Sequence, residues 1–485
     1  ALTLIQSVKA QEAWNLLQRI TLLEPSHFRA FRTLAILAAH SGQFAVGALL
    51  MERSLQIEPR DAASHQDFAN LLQGIGQSER ALLHYNESLR LDPGNAVAHY
   101  NRGNLLRDLG RHLEALDAFD QALRRNPHDR LAALNKGLLQ KDKGDPQGAQ
   151  KTHIRALTLC PHDAQHLSAL AELMAASGDL KDAIKMDYRV AWIDPTHANG
   201  WLNLCNHLNE TRNPEALAAS KNTLLLSPSE ASGYVNHGIA LHHQARFSAA
   251  LECQIRAITL QPNLAKAHFN RGNALRELVG FEEALASYNK AIDLEPTLAE
   301  AVWNKSTLLL LLGQLKEGFA LYHARAALKE GASDSRPWNR PNLDPDRLFG
   351  KSVALSPEQG LGDTLQFSRY AKLLADRGAN VFLEVQPPLR RLLATMDERI
   401  QVVATGESLP QTDLRCPLLD LPDLLGTSLS SIPDATPYLF AKASGGRSWA
   451  LPPSTKKRVG VAWAGNPLHK NDGDRSIPLS IFSDL

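Results

Sequence analysis

Prolines recur through the first two thirds of this chain at a spacing that leaves few folds open. They stand at Pro25, Pro59, Pro93, Pro127, Pro161, Pro195, Pro228, Pro262 and Pro296; seven of the eight intervals are 34 residues and one is 33. A period of that length marks one supersecondary unit copied along the chain, which must stack on its neighbours to bury a core. Twenty-four residues before the prolines the chain is small: Ala35, Ala69, Gly103, Gly137, Ala171, Gly238 and Gly272, with Cys205 one place off in the short copy and Ser306 in the last. Twelve residues before, it is small again: Ala13, Gly47, Ala81, Ala115, Ala149, Ala183, Ala216, Ala250 and Ala284, with Gly318 in the last copy. Two small residues per period, set among apolar residues at helical spacing, let two antiparallel helices approach closely, so each period is predicted to be a helical hairpin. Gly42, Gly76, Gly110, Gly144, Gly178, Gly280 or Gly313 marks the turn, and the proline ends the second helix.

This pattern resembles the tetratricopeptide repeat, most clearly in Ala96 to Pro127 and Ala265 to Pro296, and the resemblance covers residues 1 to about 330. It implies a right-handed solenoid whose first helices line a concave groove that holds peptides or proteins. The sixth position of each repeat reads Asn101, Asn135, Asn203, Asn236, Asn270 and Asn304, interrupted by Ala169 and preceded by Thr33 and Asp67. A carboxamide carries donor and acceptor together, so a ladder of them can pair with the backbone of an extended peptide whatever its side chains. The groove asparagines of protein O-linked N-acetylglucosamine transferases are similar. The alternative is that these residues only bond neighbouring helices to one another. A peptide-carboxylate clamp needs Lys at the fifth position, where Tyr100, Leu134, Phe269 and Trp303 stand instead.

Charge excludes several partners. The 52 Lys and Arg nearly balance the 51 Asp and Glu, and no basic block is present to follow a row of phosphates or an anionic membrane. Cys160, Cys205, Cys253 and Cys416 lie far apart, which argues against zinc sites and disulfides and for a reducing cytoplasm. His65, His99 and His268 recur at one repeat position, but on separate helices whose axes are about 8–10 Å apart they cannot share a metal. They are expected to pack or to face the groove, and His242 and His243 to be solvated.

After about Ala326 the period stops, and residues 331–350 read as a linker. Ser352 to Ser356 is then a predicted strand, residues 359–363 a tight turn, and Thr364 to Arg377 a helix. Val381 to Val385 follows as a strand, Pro388 to Met396 as a helix and Ile400 to Val403 as a strand. Strands alternating with helices predict a parallel, Rossmann-like α/β sheet, although Gly360-Leu-Gly362 lacks the third glycine of a dinucleotide fingerprint. A further strand is predicted at Arg458 to Trp463.

The segments Glu358 to Asp363, Leu383 to Leu389 and Ala464 to Leu479 resemble bacterial tetratricopeptide-repeat proteins whose C-terminal part is a two-Rossmann-domain (GT-B) glycosyltransferase related to the ADP-heptose transferases. The His-rich opening of the animal-type O-linked N-acetylglucosamine transferases is missing. The resemblance implies a first Rossmann-like domain at residues 351–450 and the start of a donor domain at 451–485, with both chain ends falling inside their units. It implies inverting, metal-free transfer from a nucleotide sugar to Ser or Thr of a protein in the groove; a non-catalytic scaffold, or transfer to a glycan or lipid, are the alternatives. By the resemblance Asp363 is the general base, which competes with a helix-capping role shared with Gln366. The loop carrying Gly465, Asn466, Lys470, Arg475 and Ser476 would cradle the donor diphosphate. Asp472 and Asp474 could instead be read as a metal-binding Asp-x-Asp motif.

Overall fold

The computed structural model describes residues 2–328, 347–358, 360–434 and 436–440. The chain divides into two compact units, one of residues 1–332 with Thr427–Leu429, which carries the helices from Leu2 to Ala327, and the other containing the sheet.

In the first unit, Leu2–Leu23 is followed by consecutive helix pairs, from Phe28–His40 with Phe44–Ile57 to Ala299–Leu311 with Leu315–Leu321. The pairing follows the small positions. Ala35, Ala69 and Ala171 on first helices, and Ala81, Ala115, Ala149, Ala183 and Ala284 on second helices, have no accessible surface. A Cβ at Gly103 would lie 2.7 Å from Phe119 Cε1, and one at Gly272 would lie 2.6 Å from Tyr288 Cε1, so each bare Cα receives a ring from the partner helix. The 33-residue interval falls on Ala216–Leu226, 11 residues long where the other second helices from Phe44 to Leu294 have 14.

The turns depart from expectation at one point. Gly42, Gly76, Gly110, Gly144, Gly178 and Gly313 carry φ between 75° and 92°, the left-handed conformation that closes a helix C-terminus. In the hairpin where Gly280 was expected to do this, Val279 does so at φ 63°, and Gly280 is the N-cap of the next helix at φ −82°. Arg212 and Ala245 hold the same turn position in two other hairpins, which is why no glycine marks those turns in the sequence.

The second unit is a four-stranded parallel sheet of β1 (Ser352–Ser356), β2 (Asn380–Val385), β3 (Ile400–Ala404) and β4 (Leu414–Pro417), in the order β3-β2-β1-β4. The helix Leu361–Asp376 joins β1 to β2 and buries Phe367, Tyr370, Ala371, Leu374 and Ala375. It begins three residues before the predicted start, so Gly362 and Asp363 belong to its first turn and not to a loop. Between β2 and β3 the predicted helix is shorter: a 3₁₀ turn at Pro387–Leu389 runs into Arg390–Leu393. β4 was not anticipated. It pairs with β1 in the register Val353 to Leu414 through Ser356 to Pro417, and Asp413 fixes that register by accepting hydrogen bonds from the Ser352 N–H and hydroxyl at 2.8 and 2.7 Å. The predicted linker 331–350 lies largely outside the described residues, and the strand at Arg458 to Trp463 wholly so.

Val279 is β-branched and 69% exposed, so it bears the left-handed strain with little burial to offset it. Val279→Gly is expected to raise stability by about 1 kcal/mol, the scale of that strain, despite its entropy cost. Denaturant titration of the pair of proteins checks it; an equal or lower midpoint for the glycine variant refutes it.

Candidate functional site

The sequence places the candidate acceptor-binding residues on one face of successive first helices, and the structure shows how that face is knitted. Asn101 donates through Nδ2 to Asn70 Oδ1 at 3.2 Å, Asn135 to Asn104 Oδ1 at 2.8 Å, and Asn304 to Asn273 Oδ1 at 2.8 Å. Asn203 donates to Ser168 Oγ and Glu172 Oε1, both at 3.2 Å. Each of these bonds reaches the first helix of the preceding hairpin. Asn270 instead donates within its own helix, to the Lys266 carbonyl, and Asn236 is buried, with its backbone carbonyl accepting from Asn209. Asn101 and Asn304 each make one such bond and Asn135 and Asn203 two, so at least one N–H of each amide is committed to a seam between hairpins. No protein donor reaches the Oδ1 of Asn101, Asn135, Asn203 or Asn304 among the described residues, and all four are half-buried.

The recurrent histidines have a structural task. His65, His99 and His268 each place Nε2 on the carbonyl of the proline six residues earlier, at 3.1, 3.3 and 2.9 Å. Trp201 Nε1 and the Tyr234 hydroxyl make the same bond to Pro195 and Pro228. Of the His242 and His243 pair only His243 is exposed; His242 packs edge-on to Phe247 with its Nε2 buried, because Phe247 opens the following helix directly beneath it.

Three polar pairs within the unit went unseen in the sequence because their members lie 13 to 20 residues apart, without a shared motif. His65 and His84 meet Nδ1 to Nδ1 at 2.9 Å, as do His153 and His166, and His207 Nδ1 lies 2.6 Å from Asp187 Oδ2. Burial, and then His65, lower His84 to a pKa of about 4; burial, and then His166, lower His153 to about 4. His207 is raised: burial opposes its charge, but the Asp187 carboxylate outweighs it.

A pocket of about 220 Å³ opens between the first helices Phe28–His40 and Ala62–Gly74, lined by Ile36, Ala39, His40, Phe44, Asp67, Asn70 and Leu71. The signal for it in the sequence is an absence. Ala39 and Gly74 stand where equivalent helices carry Arg107 and Asp108, Lys141 and Asp142, or Arg276 and Glu277.

In the second unit, Gly360 is the N-cap of Leu361–Asp376 and Asp363 sits inside the first turn. Its carboxylate makes no capping bond, since the helix starts before it; the cap shared with Gln366 is not formed. Asp363 is half-buried beside the C-terminal end of β1. The helix is held from behind, where the Tyr438 hydroxyl donates to the Leu365 carbonyl and Arg369 stacks on the Tyr438 ring. Gly465, Asn466, Lys470, Arg475, Ser476 and the Asp472 and Asp474 pair lie outside the described residues. Among the described residues no group of three His, Cys, Asp or Glu could hold a metal ion, and no helix is long and apolar enough to cross a membrane.

Helical hairpins joined in this way form a repeat solenoid, and comparison with known proteins agrees. Residues 96–129 and residues 235–299 match tetratricopeptide repeat profiles, so the chain carries tetratricopeptide repeats. Among solved structures it is similar to YrrB, described as a tetratricopeptide-repeat protein with an unusual peptide-binding site (27% identity, 41% of this chain and 99% of that one, TM-score 0.33). It is also similar to a tetratricopeptide repeat protein from Parabacteroides merdae (16% identity, 51% and 98%, TM-score 0.39) and to MamA from Desulfovibrio magneticus (19% identity, 34% and 94%, TM-score 0.31). No curated protein matches.

The histidine pairs set a pH dependence. In the folded chain His84 and His153 stay neutral down to about pH 4, whereas the unfolded chain takes up those protons near pH 6.5. The unfolded state therefore binds more protons in that window, and stability falls as pH drops from 6.5 towards 4. His207 acts oppositely, contributing stability below the usual imidazole range and losing it as pH rises through its raised value. Burial lowers His99, His166, His237, His242 and His243 as well, so the melting temperature is expected to fall on acidification, and replacing both His84 and His153 by Gln should flatten that fall. An unchanged slope in the double variant, measured by circular dichroism, refutes the assignment.

Proposed function

We propose that the repeat unit binds an extended segment of a protein along the face of its first helices, and that the unit carrying the sheet is the acceptor-side domain of a nucleotide-sugar glycosyltransferase. The observation that carries the first half is the set of unpaired Oδ1 atoms on Asn101, Asn135, Asn203 and Asn304, which share one repeat position in four of the seven hairpins from Ala96 to Leu321. With their amides engaged in the seam, these residues offer acceptors to the N–H groups of a peptide strand. Such contacts read backbone and not side chains.

Replacing Asn101, Asn135, Asn203 and Asn304 together by Ala removes bonds worth about 0.5–1.5 kcal/mol each, so peptide affinity should weaken at least about tenfold. Because the seam is cut as well, the melting temperature should also drop, and helix content at 25 °C should persist. Titration of a labelled extended peptide separates the effects: binding lost only in proportion to unfolding leaves the asparagines with a structural role alone.

For the second half, support comes from the strand order β3-β2-β1-β4 together with the position of Asp363. The chain runs outward from β1 through β2 to β3 and then crosses back to the other side of β1, and parallel sheets bind ligands beyond the carboxyl ends of strands at such a reversal. Gly360, Gly362 and Asp363 follow β1 at that place. A carboxylate without a capping bond there can accept the proton of a Ser or Thr hydroxyl as its oxygen attacks the anomeric carbon. On this reading residues 351–450 form the first Rossmann-like domain, residues 451–485 open the donor domain, and the loop from Gly465 to Ser476 holds the diphosphate without a metal ion.

Asp363→Asn in the intact protein should leave folding and donor affinity unchanged and lower turnover by about 10²-fold or more. Turnover within a few-fold of the parent removes Asp363 from the chemistry. No transfer from any nucleotide sugar to a co-expressed protein, read by mass spectrometry, would leave the chain a binding scaffold.

A further inference from the structure

The pocket between Phe28–His40 and Ala62–Gly74 combines substitutions that other hairpins carry only in part: Leu138 and Ile239 share the apolar position of Ile36, and Ala175 and Ala176 the small ones of Ala39 and Gly74. Ile36 stands where Asn70, Asn104, Glu172, Asn206 and Asn273 stand in other hairpins, and Ala39 replaces a long polar side chain. Gly74 completes it: a Cβ there would lie 2.7 Å from Phe44 Cδ1, so only the bare glycine lets the Phe44 ring lie down as a wall. The result is a recess of about 220 Å³, apolar along Ile36, Ala39, Phe44 and Leu71. A cavity of about 150 Å³ already holds a benzene ring, so a long side chain fits.

At the polar edge, Asp67 presents a carboxylate only half engaged. Its Oδ2 accepts from Arg32 Nε at 2.7 Å, and among the described residues no protein donor reaches Oδ1. Arg32 is shared with Asp61 at 3.9 Å, leaving two carboxylates against one guanidinium. Asp61 Oδ2 is further occupied by the Ser64 N–H and hydroxyl at 2.9 and 2.6 Å, and of the two carboxylates Asp67 is the one that lines the pocket. Beside it, Asn70 is oriented by two donors on its Oδ1, the Tyr85 hydroxyl at 2.5 Å and Asn101 Nδ2 at 3.2 Å.

We propose that this pocket receives a basic side chain, lysine or arginine, of the peptide bound along the first-helix face, a proposal that rests on the peptide-binding reading above. The apolar walls cover the aliphatic stem while the cationic head reaches Asp67 Oδ1 at the rim. Phe44 adds the electron-rich face of its ring to the cation. A glutamate in the same place would meet the excess carboxylate, and an aliphatic side chain would leave Asp67 Oδ1 without a partner.

The test uses the full chain and four fluorescent extended peptides, identical except for one central Lys, Arg, norleucine or Glu. The Lys and Arg peptides are expected to bind at least about tenfold more tightly than the norleucine peptide, the scale of a charge-assisted hydrogen bond, with Glu weakest. Asp67→Asn should erase the preference. So should Ala39→Arg, which inserts the residue type of the equivalent Arg107 and Arg276 and fills the recess without touching Asp67. Both variants are compared with the parent for helix content. Equal affinity for Lys and norleucine, or a preference that survives both variants, overturns the pocket assignment alone. If none of the four peptides binds, the peptide-binding reading falls and the pocket assignment falls with it.

Discussion

The helical unit depends on one contact made over and over: a side chain of the second helix lying on a bare or nearly bare Cα of the first. At Gly103 the occupant is Phe119, at Gly272 it is Tyr288, and at Gly137 it is His153, whose Nε2 would sit 2.4 Å from an added Cβ. Close packing of this kind gives way to added atoms only by moving the backbone, and in a stack of hairpins each backbone is also its neighbour's wall. The small residue therefore sets the distance between the helices of a pair, and through the pair the register of the next. Where the occupant is Tyr288, its hydroxyl extends the contact to Asn273 Oδ1 at 2.9 Å, and Asn273 in turn accepts from Asn304 of the following hairpin. Tyr85, Asn70 and Asn101 repeat the chain of bonds. Packing within one hairpin and polar pairing to the next are thus one mechanism.

This explains what could be read in the sequence. Prolines, small residues and turn glycines are local signals whose meaning does not depend on partners elsewhere, so the hairpins were legible to within a residue or two. Gly280 misled because a glycine next to the turn served as an N-cap while Val279 took the left-handed position. The fourth repeat position shows a second kind of legibility. His65, His99, Trp201, Tyr234 and His268 have in common an aromatic body and a polar hydrogen, and each reaches a proline carbonyl six residues back. Pairing across 13 to 20 residues, as in His153 with His166, leaves no such trace, and those pairs needed the structure.

The sheet was legible in proportion to how much apolar length each strand carries. β1, β2 and β3 are rich in Val, Leu, Ile and Phe and were anticipated, whereas β4 has four residues, among them Arg415 and Pro417, and is identified by pairing alone. That unanticipated strand turns a simple right-hand run into a sheet with a reversal beside β1, and only the reversal gives Asp363 a location with chemical meaning. The candidate base was visible as a residue type in a glycine turn. Its freedom from capping was not, because capping is decided by where the helix starts, and Gly360 starts it.

The asparagine ladder was proposed as a surface that reads backbone, with a purely structural seam as the alternative; the geometry shows the seam at four of the six residues, and the backbone reading is the proposal built on their free oxygens. An amide has two polar ends. The Nδ2 ends of Asn101, Asn135, Asn203 and Asn304 are spent between helices, which fixes the rotamer and aims Oδ1 with little entropy left to lose. A ladder ordered in this way presents a row of identical acceptors, which cannot distinguish one peptide from another, since every non-proline residue supplies the same N–H. Discrimination must come from places where the repeat breaks its own pattern. One such place is at Ile36, Ala39 and Gly74, where apolar and small residues come together in a recess beside Asp67.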